Sequence, residues 1–403
     1  MFAHLQITEP RERALVGAAD AALRVVAPIA RAFRRRAPAA PGRILLLRIE
    51  RIGDLLMTLD AIADVVSAAP RAEIDLAVGS WNAELATAIR GIHRVEPIDA
   101  AWLARGGGSS PLSLVATGRS WRSRSYDLAI NFEPDIRSHI LMAATGAART
   151  AGFASGGGGP LLDISLPFDP RMHTSDNARR LAAAALDVPP RLDPARLDLP
   201  PAAKQRAIEL LGPRRSPLVG IHAGGGREIK QWPPDRFGEV AARLARDYGA
   251  TIVLTGSAGD RPLVDAARRA TGAAPVLDLT GTLDLLSLAA ILETLDVYIT
   301  GDTGPMHLAA AVGTPVVAVF GPSDPVRYAP RAERHRIVRI DLPCSPCNRI
   351  RQPPERCIGH TPDCLAGIDV DRVHAAAIEV LNAVRGRSAP GASLATPQAA
   401  RRT

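Results

Sequence analysis

The sequence predicts an α/β chain of two doubly wound, Rossmann-like halves facing a central cleft. Two observations carry this: β-rich runs alternate with helical patterns from Arg43 onward, and after a proline-dense stretch the alternation starts afresh at Leu218. Strands separated by helices imply βαβ units with parallel strands, and 403 residues suit two domains. Ligands of open α/β sheets bind outside the C-terminal ends of the strands, so chemistry is sought in the loops that follow strands.

Residues 1–40 read as a basic amphipathic leader. Leu15, Ala22, Leu23, Val26 and Phe33 follow a helical period, while Arg13, Asp20, Arg24, Arg31 and Arg35 gather on another face. Pro28 is expected to break this helix. The segment reads either as a solvated leader or as a helix lying on an anionic inner leaflet, which makes peripheral contact with the inner-membrane surface one expectation.

The first half, 41–187, opens with a strand over 44–49 and a helix over 55–68, followed by strands over 74–78 and 127–132. Its glycine runs at 106–110 and 156–159 read as surface loops. The segment 188–216 holds Pro189, Pro190, Pro194, Pro200, Pro201 and Pro213 and reads as a linker, because proline cannot join a sheet interior. The second half, 217–385, shows strands over 219–222, 251–255, 276–279, 297–300 and 316–320, and a basic tail, 386–403, closes the chain.

Charge and cysteine usage narrow the function. The leader and the segment 385–403 each carry +4, which accounts for the whole net charge of +8 and leaves the body formally neutral. A nucleic-acid binder carries its basic stripe on the folded domain, so nucleic acid is excluded as a partner. No uncharged apolar run is long enough to span a bilayer, and acidic and basic residues precede any apolar core at the N-terminus, unlike a secretory signal. With four cysteines, all between 344 and 364, a reducing cytoplasm is the economical compartment.

Four loops carry the candidate residues. In Arg51-Ile52-Gly53-Asp54, Asp54 sits where an N-cap belongs, and its carboxylate either caps the helix or takes a proton from a substrate hydroxyl. In the stretch from His222 to Pro233, Gly224, Gly225 and Gly226 allow backbone N–H groups to approach a ligand. Lys230 is one of only two lysines among 49 basic residues, so it reads as a compact charge for phosphate or as an exposed loop residue. Gly301-Asp302-Thr303-Gly304-Pro305-Met306-His307 places Pro305 at a first helical position, with Thr303 and Gly304 at a helix N-terminus suited to a diphosphate. Asp302 suits a sugar hydroxyl, while His307 either donates to phosphate or supports the loop. The turns holding Gly256 and Leu283 are weaker candidates for the nucleoside. Neither a dinucleotide fingerprint nor a P-loop is present.

Taken in order, these residues resemble glycosyltransferase family 9, the ADP-heptose:lipopolysaccharide heptosyltransferases. The resemblance covers about 41–385 and runs through 43–62, 126–138, 220–244 and 279–325. It implies the GT-B arrangement, with the acceptor on the first domain and the nucleotide sugar on the second. Position by position it puts the base on Asp54, a phosphate-contacting lysine on Lys230, the donor turn on Asp302, Thr303, Gly304 and His307, and an adenine contact on Leu283. Gly225 and Gly226 stand where some members place phosphate-binding hydroxyls, and RIGD replaces a serine-rich version. The implied activity is inverting transfer of a sugar, heptose on this resemblance, from an ADP-linked donor to a glycolipid or oligosaccharide acceptor, with no cofactor for catalysis. A nucleotide-sugar epimerase and a non-catalytic nucleotide-sugar-binding protein are the rival readings. Cys344, Cys347, Cys357 and Cys364 read as a structural zinc site, as reduced packing thiols or as disulfides.

Overall fold

The computed structural model describes residues 5–100, 111–190, 193–214 and 216–388. The expected loop at 106–110 and residues 389–403 of the expected tail lie outside the described residues. Two six-stranded sheets organise the rest. The first contains β1 (Arg43–Arg48), β2 (Glu73–Gly79), β3 (Arg94–Ile98), β4 (Leu128–Asn131), β5 (Arg149–Phe153) and β6 (Ile164–Leu166), in the order β3-β2-β1-β4-β5-β6. The second contains β7 (Leu218–His222), β8 (Thr251–Leu254), β9 (Val276–Asp278), β10 (Val297–Gly301), β11 (Val316–Val319) and β12 (His335–Val338), in the order β12-β11-β10-β7-β8-β9.

Every strand pair is parallel. Helices on both faces demand continuous apolar strands, and β1 supplies one: Ile44 through Leu47 are wholly buried, with Ile44 set beside Ile74 and Leu128. The two sheets share one winding, in which the first and fourth strands lie side by side at the point where the strand order reverses.

The expected strands all occur, with ends shifted by a residue or two. Four were missed: β3, β5, β6 and β12. β3, β6 and β12 lie at sheet edges, where half-exposed strands need no long apolar run, and Pro97 within β3 argued against a strand. β5 is interior, but RTAGF is short and contains a glycine.

Three further expectations are corrected. The leader helix α1 (Pro10–Ala32) runs through Pro28. Side chains on either side of that residue anchor the helix to the first lobe, which overrides the proline: Asp20 accepts from Gly158 N at 2.6 Å, and Arg31 donates to the Pro160 and Leu162 carbonyls at 2.7 and 2.6 Å. The glycine run at 156–159 is therefore a partly buried landing site for α1, not a free surface loop. Gly157 has φ +89°, and a Cβ there would stand 2.2 Å from Val16. The single helix expected over 55–68 is divided into α2 (Ile52–Leu56) and α3 (Leu59–Ala68), where the Thr58 hydroxyl donates back to the Asp54 carbonyl at 2.8 Å.

Within 188–216 lies the helix Pro201–Leu211, with proline at its first position. The chain before it is bonded to both lobes: Asp198 N donates to Ala88 O at 2.8 Å, and Leu197 N to Ala311 O at 3.1 Å. Among the described residues no helix is long and apolar enough to cross a membrane.

Candidate active site

The loops that follow β1, β4, β7 and β10 carry the main candidate residues, and these are the four strands that flank the two reversal points. After β1 the chain turns directly into α2. Its N-cap is Arg51, so Asp54 is not the expected N-cap but the third helical residue, where Oδ2 accepts from Arg51 N at 3.2 Å. That bond uses one carboxylate oxygen. The other, Oδ1, lies 3.5 Å from the Arg48 guanidinium.

Arg48 was not singled out from the sequence, although an arginine directly after the apolar run Ile44 to Leu47 is itself a signal. It is buried, donates to Phe132 O at 2.6 Å and to Asp54 O at 3.2 Å, and pairs with Glu50 at 2.7 Å. One guanidinium thus holds two carboxylates. Burial pushes the Glu50 carboxyl up to about 7, Arg48 works against that shift, and the charges of Asp54 and Asp135 add to it. The loop after β4 delivers Asp135, which caps the helix Ile136–Ala144 by accepting from Arg137 N at 2.8 Å.

In the second lobe, Lys230 Nζ stands 2.6 Å from Asp302 Oδ2, with the aspartate nearly buried. The sequence proposed separate partners for these two residues, and the structure pairs them. Thr303 is the N-cap of the helix Gly304–Val312 yet makes no capping bond to it, since its hydroxyl meets Thr300 Oγ1 at 3.1 Å. The first N–H groups of that helix therefore have no side-chain cap, and the helix dipole leaves positive potential there.

The glycine loop differs in detail from its reading. Gly225 is partly buried and Gly226 exposed, whereas Gly224 is buried, and a Cβ there would lie 2.6 Å from the Asp260 carboxyl. Burial holds His307 down at about 4, so its imidazole is neutral at pH 7.

The lobes meet at these loops. A Cβ on Gly53 would stand 3.1 Å from His307 Cδ2 and 3.9 Å from Gly304 Cα. His307 is thus packed on the loop of the opposite lobe, and Asp54, one residue on, sits beside the helix N-terminus. A second contact runs through His173, which bonds Ala329 O at 2.9 Å and accepts from Arg331 Nε at 3.3 Å. Next to Asp54 opens a cavity of about 610 Å³, within the range of small-molecule sites. Arg48, Glu50, Asp54 and Asp135 line it from the first lobe, and Arg327 and Tyr328 from the second. Arg327 lies 4.9 Å above the Tyr328 ring, and its buried Nε has no hydrogen-bond partner among the described residues. The aspartate therefore faces the opposite lobe across a shared gap.

The profile of glycosyltransferase family 9 (heptosyltransferase) matches residues 114–357, more than half of the chain. This protein belongs to glycosyltransferase family 9. Its relatives include lipopolysaccharide heptosyltransferase 1 of Pseudomonas aeruginosa, 27% identical over 319 residues, spanning 76% of this chain and 86% of that protein. Among solved structures, Escherichia coli ADP-heptose lps heptosyltransferase II has a TM-score of 0.69 at 22% identity, covering 86% of this chain and 99% of that one. The dodecameric iron-containing heptosyltransferase TibC of enterotoxigenic E. coli, in complex with ADP-D-beta-D-heptose, has a TM-score of 0.54 at 16% identity, covering 87% of this chain and 78% of that one. The two sheets and their cleft are the GT-B architecture, and the chain is a glycosyltransferase.

The remaining expected residues of this family 9 enzyme occupy quieter places. Gly256 lies in the loop after β8, where a Cβ would meet Asp260 at 3.1 Å, and Leu283 is half-buried against the core. Cys344, Cys347, Cys357 and Cys364 are all free thiols. Among the described residues no group of three or more His, Cys, Asp or Glu side chains is placed to hold a metal, and no disulfide joins the four cysteines. Burial first, then the neighbouring Cys347, Cys357 and Cys344, push the Cys364 thiol up to about 11, so the four cysteines lie within electrostatic reach of one another.

Proposed function

We propose that this enzyme transfers a heptose, with inversion, from an ADP-linked donor to a hydroxyl of a lipopolysaccharide-core glycan, and that Asp54 is the base. The observation that carries the reading is the juxtaposition of Asp54 with the uncapped N-terminus of Gly304–Val312, through the contact of Gly53 with His307 and Gly304. The acceptor occupies the cavity beside Asp54, and its hydroxyl proton passes to the carboxylate as the oxygen attacks the anomeric carbon. Breakage of the bond to the diphosphate oxygen leaves negative charge, which the helix N–H groups and Lys230 stabilise. Lys230 also neutralises Asp302, which lets an anion bind beside a buried carboxylate and leaves Asp302 able to accept from a sugar hydroxyl. Gly225 and Gly226 line the diphosphate approach, and Gly256 and Leu283 the nucleoside. The names of the relatives support heptose and the lipopolysaccharide core as donor sugar and acceptor.

Positive charge at the leaving group comes from the chain itself, so transfer is expected to proceed undiminished in EDTA. The deciding experiment is incubation of ADP-heptose with a heptose-free core glycolipid, followed by mass spectrometry. A heptosylated product with inverted configuration supports the reading. Altered donor without acceptor product supports an epimerase, and donor binding with no product supports a binding protein. Arrangement of the cavity beside a basic leader fits an enzyme working at the cytoplasmic face of a membrane, where its acceptor is anchored.

A further inference from the structure

An amphipathic surface helix ordinarily turns its apolar stripe toward the core. α1 instead leaves its widest apolar stripe outward. Its inward side is mixed: Gly17, Asp20 and Ala27 are buried, Val16 and Leu23 are half-buried, and Arg31, with Arg34 just past the helix, pairs with Asp163 at 3.1 and 3.0 Å. Its outward side carries Leu15, Ala22, Val26, Ile29 and Phe33, whose spacings of seven, four, three and four put them on one face. Leu15, Val25, Val26, Ile29 and Phe33 are 57 to 87% exposed, and they are five of the nine large exposed apolar side chains among the described residues. Single exposed apolar residues need no explanation, but a continuous stripe marks an interaction surface.

Two features select the occupant. The N-terminal turns of α1 wall the Asp54 cavity through Glu12, Leu15, Val16 and Ala19, and the exposed Ile140 lines the same cavity. The apolar stripe therefore begins at the cavity's edge. Arg11, Arg24 and Arg36 are exposed on the leader, and its basic residues still outnumber the acids around them after Asp163 pairs with Arg31 and Arg34 and Asp127 with Arg35, so an anionic surface complements it and a second copy of the same helix does not.

We propose that the outward face of α1, from Leu15 to Phe33, docks on an anionic phospholipid bilayer and so brings the Asp54 cavity to a lipid-anchored acceptor. Docking stands on the helix alone, while delivery of the acceptor rests on the function proposed above. The bilayer receives the stripe as an interfacial helix, lying in the headgroup region without crossing it.

The test uses the full chain and vesicles of phosphatidylethanolamine with phosphatidylglycerol. Wild type is expected to sediment with these vesicles, less with phosphatidylcholine alone, and less as salt is raised. The triple variant Val26→Glu, Ile29→Glu, Phe33→Glu alters exposed residues outside the cavity lining, and circular dichroism checks that it folds. Its vesicle binding should weaken at least about tenfold, since buried apolar area sets the strength of interfacial binding. Transfer to a vesicle-embedded acceptor should fall in proportion, while transfer to the water-soluble deacylated saccharide stays at the wild-type rate. Wild type that ignores vesicles, or a variant that binds as wild type does, overturns the proposal. So does lipid-free wild type that is a dimer and becomes monomeric in the variant, which would make the stripe a contact between copies. Failure of both proteins to transfer to either acceptor would sink the functional reading and leave the sedimentation result to judge the surface.

Discussion

The two lobes have the same strand order and the same central crevice, yet they present opposite chemistry there. In the first lobe the loop after β1 turns at once into α2, which points Asp54 into an open cavity shared with Glu50, Asp135 and Arg48. In the second lobe the loop after β10 ends at a helix N-terminus with no side-chain cap, beside a lysine already paired with an aspartate. On the proposed function, one crevice offers a place for a proton and the other for an anion. The difference shows that topology supplies the position of a site, while loop residues supply its chemistry.

The comparison can be broken by substitutions that act on one lobe only. Asp54→Ala is expected to lower kcat by about 10² to 10⁴-fold, the usual worth of a general base, with the donor dissociation constant unchanged by calorimetry. A loss of donor binding of similar size would merge the two roles. Lys230→Ala should lower kcat/KM by about 10² to 10³-fold, as loss of a charge-stabilising donor does, and should weaken donor binding as well. Because Lys230 and Asp302 are in contact, the double variant with Asp302→Asn should be no worse than Lys230→Ala alone, which a double-mutant cycle on ADP affinity measures.

Gly53→Ala tests the seam between the lobes. Its Cβ would meet the buried His307 ring at 3.1 Å, so unfolding by urea should show a loss of about 1 kcal/mol, the low end of an overpacked contact. The last effect is a pH dependence at Glu50, where Arg48 offsets part of the burial penalty. The carboxyl is raised from 4.5 to about 7 in the folded protein, so the folded state keeps its proton longer than the unfolded chain. That contribution to stability is complete below about pH 4.5 and is lost as pH rises through about 7. Glu50→Gln should remove this loss, seen as a flatter dependence of the urea midpoint on pH across that interval.

Sequence by itself determined the class of the fold and the loops that matter. Apolar strands buried on both faces, helices between them and a second start at Leu218 are local patterns, readable because parallel sheets demand them. Gly304 and Pro305 after an apolar strand specify a helix start, so the position of the helix Gly304–Val312 was legible too. Tertiary structure alone decided three things. Edge strands β3, β6 and β12 form because a neighbour supplies their hydrogen bonds, not because their residues demand it. Arg48 acts on Glu50 and Asp54 together because a bend after β1 folds three nearby residues onto one another. The leader turns its apolar face outward because Asp20 and Arg31 find partners on a glycine-rich landing more than 120 residues away, and long-range bonds of that kind leave no local period to read.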